Sequence, residues 1–394
     1  LTLTNWTLLS DDLSPYLSLS GTLSPNSYYL IEHKGAGETT EATQSSVIGV
    51  TADVWASFGA SGNGNLDGGG ENLTLAFKTA GRATTTIDAV PKCGNAWCAG
   101  DDSNYKTMER YDSAVAGNSS SNWVTALGEF IMNGTDTGGA TLKGTPKQRN
   151  SVNYLIDPTY TLSLNKTLTA SSSPYLVNRP GLTVPAGKTL TIDAGVVVKI
   201  VSNNEPWIRV QGRVNANGTA ANPVVFTAFA DDEYGGDLNA NGSATTPTAG
   251  SWRRLFIDTT SVGSSFTHTL IRYGGNNTVT DDAGKQGAIG VSSSTVAFDY
   301  LTVEKSNFHG LALENSNSTV TNSRFSTSTT ADVSASGLYI SGGSPTISSS
   351  SFSGNYRGIT LESSPASVTG NSFTGNEQEA IYTTGTLGSF SGNS

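Results

Sequence analysis

The segment ADDEYGGDLNANGSATTPTAGSW, residues 230–252, combines side chains that suit a hard cation. Within it, DLNANG fits the first half of the calcium-loop pattern D-x-[DN]-x-[DN]-G, with Asp237, Asn239 and Asn241 as oxygen donors and Gly242 at the turn. Carboxylate and amide oxygens at this spacing bind Ca²⁺, which often rigidifies extracellular β proteins. The segment therefore predicts a Ca²⁺ site, with a solvated loop as the alternative.

The second half of the calcium-loop pattern is absent. Its twelfth position is Thr248 rather than Glu, so no EF-hand follows. The missing negative charge would come from Asp231, Asp232 or Glu233 folding back towards the loop. We therefore expect a site assembled from residues 231–241 rather than from a helix–loop–helix unit.

Candidate catalytic acids are few. Glu314 and Glu362 end equivalent segments of a repeat, with Ser341 in the segment between them and His309 beginning the first segment. If the segments are stacked strands, two steps of about 4.8 Å place the carboxylates ~9.6 Å apart, close to the separation in inverting glycosidases. The alternative is that both are solvated charges at strand ends.

A polysaccharide lyase would need Ca²⁺ bridged by acids and an Arg or Lys as base. The arginines that follow the acidic segment lie in no recognisable acidic cluster: Arg253, Arg254, Arg272 and Arg357. Serine-hydrolase chemistry is also disfavoured, because only three His occur and no nucleophile elbow accompanies them. The sequence therefore predicts no catalytic residues.

Cys93 and Cys98 bracket the short loop KCGNAWC, which favours a disulfide in a secreted protein. Two free thiols beside Trp97 are the alternative, and two cysteines alone do not make a zinc site. Nine sequons are possible glycosylation sites in a host with the enzyme. They lie at Asn5, Asn72, Asn118, Asn133, Asn165, Asn217, Asn241, Asn276 and Asn317.

Composition narrows the class of protein. Only 14% of the 394 residues are charged, and the net charge of −10 disfavours nucleic acid, which needs a basic surface. No apolar run is long enough to span a membrane, so no membrane insertion is expected from this segment. Apolar residues come in bursts of four to six between Gly, Asn and Ser, without helical periodicity. The fold class is therefore predicted to be all-β.

Residues 1–152 contain non-repeating strand signals such as LTLTNWTLL, ENLTLAF and TTTIDAV, typical of an antiparallel sandwich. NWTLLSDD, LSPNSYYLIEH, GGGENLTLAF and TTTIDAV, in this order, resemble the lamin-tail domain, an immunoglobulin-like β-sandwich. The matching positions are Trp6, Pro25, Tyr28, Leu30, Glu32, Gly70, Glu71, Leu73, Leu75, Asp88 and Val90. Two strands that usually open this family are absent ahead of Leu1.

Residues 153–394 repeat. GLALE, GLYIS, GITLE and AIYTT begin at 310, 337, 358 and 380, and Phe recurs at 325, 352 and 373. A period near 22 with several short strands per repeat is the signature of a β-solenoid. With SPYLV and GLTVPAGKTLTIDAGVVVKI at its start, this half resembles the right-handed parallel β-helix of the pectin-lyase-like superfamily, in eight or nine coils.

The phrase SFSGN recurs at 351–355 and 389–393, with SFTGN at 372–376, and we expect each to form the same corner of successive coils. Phe352 and Phe373 would then stack inside the tube, while Asn355 and Asn376 would bond from coil to coil. The last coil would remain open. We therefore expect further sequence after Ser394, and also before Leu1, where the initiator Met is missing.

The leading functional hypothesis is a non-enzymatic extracellular structural protein: a surface-layer or filament subunit, or an adhesin stalk. It would self-associate or attach to other cell-surface proteins or glycans through its sandwich and β-helix. The alternative is a carbohydrate-active protein, either a lyase-like enzyme or a glycan-binding module. That alternative predicts a groove lined with acids and aromatic rings on one sheet of the β-helix.

Overall fold

The computed structural model describes residues 1–35, 37–41, 47–48, 50–58, 66–130, 134–135, 139–201, 207–239, 241–276, 287–326, 335–385 and 388–394. The chain divides into two compact units, Leu1–Tyr154 and Leu155–Ser394. Both are built from strands, with short 3₁₀ turns at Ser120–Asn122, Ser151–Tyr154 and Ala170–Ser172.

The N-terminal unit has ten described strands: β1 Trp6–Ser10, β2 Tyr16–Ser18, β3 Ile31–His33, β4 Val47–Ile48, β5 Val54–Ala56, β6 Leu73–Phe77, β7 Thr85–Val90, β8 Met108–Arg110, β9 Trp123–Thr125 and β10 Gly134–Thr135. Strands β2, β1, β6 and β7 form an antiparallel sheet in that order. Trp6 and Leu75 pack on a small core that contains Leu17 and Phe58. The immunoglobulin-like arrangement and the lamin-tail resemblance stay predictions.

The C-terminal unit contains the remaining described strands: β11 Lys166–Leu168, β12 Tyr175–Val177, β13 Leu182–Val184, β14 Thr189–Asp193, β15 Val197–Ile200, β16 Ile208–Val210, β17 Arg213–Asn217, β18 Val224–Ala228, β19 Leu255–Ile257, β20 Ser264–Arg272, β21 Gly287–Ser292, β22 Val296–Glu304, β23 His309–Glu314, β24 Thr319–Thr321, β25 Arg324–Ser326, β26 Ser336–Ser341, β27 Thr346–Ser348, β28 Ser351–Ser353, β29 Arg357–Glu362, β30 Ser367–Thr369, β31 Ser372–Thr374, β32 Ile381–Thr384 and β33 Ser389–Ser391. All of them pair in parallel, coil upon coil.

Three faces run along this solenoid. Face A is the eight-stranded sheet β13-β16-β19-β21-β23-β26-β29-β32. Face B follows β11-β14-β17-β20-β22-β24-β27-β30-β33, and face C follows β12, β15, β18, the ends of β20 and β22, then β25, β28 and β31. Strands β20 and β22 serve both faces because each turns a corner at a residue with positive φ, His268 at 42° and Tyr300 at 52°.

The period-2 pattern of each strand sends alternate side chains inward. In β14 the residues Leu190 and Ile192 are 1% and 0% exposed, whereas their neighbours reach the surface. Phe325, Phe352 and Phe373 stack along the interior, with ring centroids 5.0 and 5.1 Å apart. The predicted stack of Phe352 on Phe373 is confirmed.

Asparagine amides connect the last coils. Asn355 Nδ2 donates to Asn376 Oδ1 at 3.1 Å, as predicted for the first two of the recurring phrases. The third phrase, SFSGN at 389–393, was expected at the same corner, and this expectation is wrong. Strand β33 pairs with β30 on face B, which aligns Phe390 with Val368 and leaves Phe390 38% exposed.

Candidate functional sites on the outer faces of the β-helix

Between β18 and β19, the described residues 229–239 and 241–251 interrupt the strands, and Gly236 and Glu233 contact side chains of face C; we call these residues the acidic loop. Under this loop lies Lys199, whose neighbour across the strands is Thr227. Lys199 is 0% exposed, and its Nζ donates to the carbonyl oxygens of Gly236 and Phe229. Burial lowers the pKa of Lys199, while the negative charges of the loop act in the opposite direction.

Arg272 is the second buried cation of face C, with a side chain that is 2% exposed. Its Nη1 donates to Glu233 Oε2 at 2.7 Å, and its Nε lies 3.3 Å from Glu304 Oε1 and 3.6 Å from Asp231 Oδ2. Asp231 also accepts a hydrogen bond from Thr227 Oγ1. The expectation that none of the arginines lies in an acidic cluster is therefore wrong for Arg272.

The predicted calcium ligands fall into two groups. Asp231 is engaged by Arg272. In the other group, Asp237 accepts hydrogen bonds from the backbone of Asn241 and Gly242, and the amides of Asn239 and Asn241 both contact Thr245. Burial raises the pKa of Asp232, and so does the charge of Asp237. No group of three or more His, Cys, Asp or Glu side chains is arranged to hold a metal within the described ranges. Calcium binding, which here would use two carboxylates and two amides, stays a prediction.

Beside Arg272 the outer surface forms a groove of about 390 Å³, here called the aromatic groove. Its aromatic lining is Tyr234, His268 and Tyr300, and its carboxylates are Glu233 and Glu304. The rings of His268 and Tyr300 stack with centroids 4.4 Å apart, and Tyr300 is 48% exposed. The groove therefore presents a ring face next to hydrogen-bond acceptors.

Face A carries a different polar cluster. Tyr339 donates to Glu362 Oε2, and its ring stacks on His309 at 4.7 Å. Nδ1 of His309 accepts the N–H of Ser336 at 3.1 Å, which places the ring proton on Nε2 when the imidazole is neutral. Tyr339 and His309 are each 2% exposed, and burial followed by Glu362 raises the pKa of Tyr339. This buried cluster offers no ring face to a sugar.

Glu314 and Glu362 lie on strands two steps apart with Ser341 between them, as the repeat predicted. The Tyr339 bond to Glu362 occupies an oxygen of that carboxylate. Nearer the end of the chain, Arg357 lies 4.0 Å from the ring centroid of Tyr382. The structure thus brings these acids to one face, but it also pairs Glu362 within the protein.

Cys93 and Cys98 form a disulfide in the structure. Of the sequon asparagines, Asn133 lies outside the described residues, and Asn241 and Asn276 are half-buried. The remaining six are exposed: Asn5, Asn72, Asn118, Asn165, Asn217 and Asn317. Exposure is compatible with glycosylation at these six positions, which stays a prediction.

Neither the role of Lys199 nor the aromatic lining of Tyr234, His268 and Tyr300 was predicted from the sequence. A signal for Lys199 was present, because it interrupts the apolar run VVVKI, and a charge inside a buried strand needs a partner. The groove had no comparable signal, since its residues come from four separate segments of the chain.

Comparisons with known proteins bear on the C-terminal unit. A family model described as a right handed beta helix region matches residues 255–394, and a model of a pectate-lyase like beta helix domain matches residues 161–313. No curated protein and no solved structure matches the chain. Among the described residues, no helix is long and apolar enough to cross a membrane. The strand pairing and the two family models together establish that the C-terminal unit is a right-handed parallel β-helix.

Proposed function

We propose that the protein is a non-enzymatic extracellular structural protein of the cell surface, and that its β-helix attaches to glycan through the aromatic groove. The observation that carries this proposal is the exposed ring of Tyr300 beside two carboxylates that Arg272 already binds. An extracellular location is supported by the disulfide and by the low content of charged residues.

The groove has the chemistry of a sugar subsite. The apolar face of a pyranose ring packs on aromatic side chains, and Tyr300 offers such a face while His268 supports it from behind. The Glu233 side chain is 63% exposed, so its carboxylate is available to accept hydrogen bonds from hydroxyl groups. Because the chain has a net charge of −10, neutral glycans should bind better than uronic acids.

The same contacts argue for binding rather than hydrolysis. Glycoside hydrolysis requires a carboxylic acid and a carboxylate that flank the scissile bond. Here Glu233 and Glu304 contact the same guanidinium, an arrangement that neutralises a buried cation.

The competing function is that of a polysaccharide lyase, which the match to a pectate-lyase like domain favours. A lyase base must reach the substrate proton. Lys199 is 0% exposed and Arg272 is 2% exposed, so these two buried cations of face C are covered by the acidic loop. A lyase reaction that used either of them as the base would therefore require that this loop open.

Calorimetry on the full chain tests the proposal, with neutral β-glucan, chitin and oligogalacturonate oligosaccharides as probes. We expect neutral oligosaccharides to bind, and Tyr300→Ala to weaken binding by about tenfold, since one stacked ring contributes ~1.4 kcal/mol. Tyr105→Ala, at a tyrosine 42% exposed in the N-terminal unit, is the matched control.

Failure of all probes to bind, or equal binding by both variants, would overturn the attachment through this groove. Release of unsaturated uronates from oligogalacturonate, followed by ultraviolet absorbance, would instead establish a lyase. Self-association is tested separately by electron microscopy of the purified protein. Filaments or lattices would support an assembling subunit, whereas dispersed monomers at high concentration would contradict it.

A further inference from the structure

We propose that the acidic loop binds one Ca²⁺ through the side-chain oxygens of Asp232, Asp237, Asn239 and Asn241. The inference concerns a metal site and does not depend on glycan attachment. It rests on three observations about these side chains: oxygens without hydrogen-bond partners, fixed amide orientations, and two carboxylates without an ion-pair partner among the described residues.

Three oxygens in this loop are buried and accept no hydrogen bond. They are the Oδ1 atoms of Asp232, Asn239 and Asn241. Buried polar atoms are almost always paired in folded proteins, because an unpaired acceptor has lost its water without replacement. Three such atoms within ten residues of one loop are the arrangement expected when a cation is the missing partner.

The amide orientations leave these oxygens free. Asn239 Nδ2 and Asn241 Nδ2 both donate to Thr245 Oγ1, at 3.2 and 2.8 Å. Each amide nitrogen therefore has a partner while its oxygen has none. Asp237 is fixed as well, since its Oδ2 accepts the Gly242 N–H at 2.8 Å and its Oδ1 faces the N–H of Asn241.

The charge of the loop favours a divalent ion. The loop supplies four carboxylates, Asp231, Asp232, Glu233 and Asp237, and covers two cations, Lys199 and Arg272. Asp231 and Glu233 contact Arg272, which Glu304 also approaches, whereas neither Asp232 nor Asp237 has an ion-pair partner among the described residues. A divalent cation bound by these two carboxylates would supply the missing positive charge.

Ca²⁺ fits this donor set better than other metals. All four side chains offer oxygen, two of them as neutral amides, whereas zinc and copper prefer nitrogen and sulfur. Mg²⁺ demands a strict octahedron at short distances, which a loop that supplies alternate residues meets less readily than the flexible shell of Ca²⁺. The expected affinity is that of extracellular modules, a Kd on the order of 10⁻⁴–10⁻³ M.

The test is titration of the full, chelator-treated chain with CaCl₂ and with MgCl₂ by calorimetry, together with thermal unfolding. We expect one Ca²⁺ per chain and a melting temperature that rises with Ca²⁺. Asp237→Asn and Asn239→Ala should each weaken Ca²⁺ binding by ~10-fold or more, because affinity follows the charge and number of ligands. Asp193→Asn removes the same charge outside the loop and should leave binding unchanged.

Circular dichroism of each variant confirms that the β-helix remains folded. The proposal is overturned if Ca²⁺ at tenfold above the weakest expected Kd of ~1 mM produces neither heat of binding nor a rise in the melting temperature. It is also overturned if the loop variants bind as tightly as Asp193→Asn. Loss of glycan binding with intact Ca²⁺ binding would affect the proposed function alone.

Discussion

Replacement of Phe352 by Ala tests whether the interior stack stabilises the β-helix. Phe352 is 0% exposed, and its ring lies between Phe325 and Phe373 at 5.0 and 5.1 Å, with interplanar angles of 6° and 12°. The substitution removes a buried side chain, two ring contacts and the packing around them. The free energy of unfolding should therefore fall by ~3–5 kcal/mol, of which the two ring pairs account for ~1–3 kcal/mol.

Urea unfolding, followed by far-ultraviolet circular dichroism, measures this loss. Phe390→Ala is the matched control, because Phe390 occupies the same position in its SFSGN phrase as Phe352 but is 38% exposed, and the substitution should cost less than ~1 kcal/mol. In hydrogen exchange the loss should be confined to β25, β28 and β31, since each coil of a solenoid contacts only its neighbours. A loss below ~1.5 kcal/mol at Phe352, or equal losses in both variants, would refute the reasoning.

Three further variants address polar contacts, each by urea unfolding. Arg272→Met should lower the unfolding free energy by ~3–5 kcal/mol because it leaves buried Asp231 unpaired, and adding Asp231→Asn should restore part of the loss; no restoration would contradict the pairing. Burial alone would raise the pKa of Asp258, but hydrogen bonds from Arg209 hold that pKa below its usual 3.8. Asp258→Asn should therefore cost ~1–2 kcal/mol at pH 7, and its difference from the parent should vanish as the pH falls below 3.8; a constant difference would contradict the assignment. Asn371→Ala removes two buried amide hydrogen bonds to the preceding coil and should cost ~2–3 kcal/mol, whereas a cost near zero would show that water replaces them.

The β-helix could be predicted from sequence because its contacts repeat at a nearly fixed distance along the chain. Phe325 and Phe352 are neighbours because both occupy the same position in successive repeats. The spacing of the repeats is sufficient to predict this pairing. The alignment of Glu314 with Glu362 followed from the same reasoning. A repeat of this kind predicts which residues occupy equivalent positions in successive coils, and therefore which side chains stack in the interior.

The last SFSGN phrase was assigned to the wrong corner of the coil because the assignment compared residue types and not the spacing between phrases. Asn393 aligns with Asn371 of SVTGN rather than with Asn376 of SFTGN, and it accepts the N–H of Asn371 at 2.9 Å. The distance of 22 residues from Asn371 agrees with the period, whereas the distance of 17 residues from the preceding phrase does not. Spacing was thus the better guide, because stacked coils require a constant length and tolerate changes of side chain at the corners.

The ion network on face C could not be predicted by periodicity, because its partners come from a loop outside the repeat. Arg272 binds Glu233, 39 residues earlier, and Lys199 binds the carbonyl of Gly236, 37 residues later. What the sequence did contain was a charge within each of two apolar strands, and such a charge requires a partner from elsewhere. The acidic segment, with four carboxylates between residues 231 and 237, was the densest source of such partners in that stretch of chain.

The acidic loop and the two buried cations of face C, Lys199 and Arg272, therefore depend on each other for their contacts. A coil of a β-helix is complete without the loop, since its strands bond to the coils above and below and its apolar side chains fill the interior. Lys199 and Arg272, however, point outward from face C and would be solvated without the loop. Asp231 and Glu233 bind Arg272. Among the described residues, Asp232 and Asp237 have no ion-pair partner, and the Oδ1 atoms of Asn239 and Asn241 accept no hydrogen bond. Neutralisation of the buried Arg272 thus explains Asp231 and Glu233. A bound cation gives a physical reason for the remaining donors, Asp232, Asp237, Asn239 and Asn241.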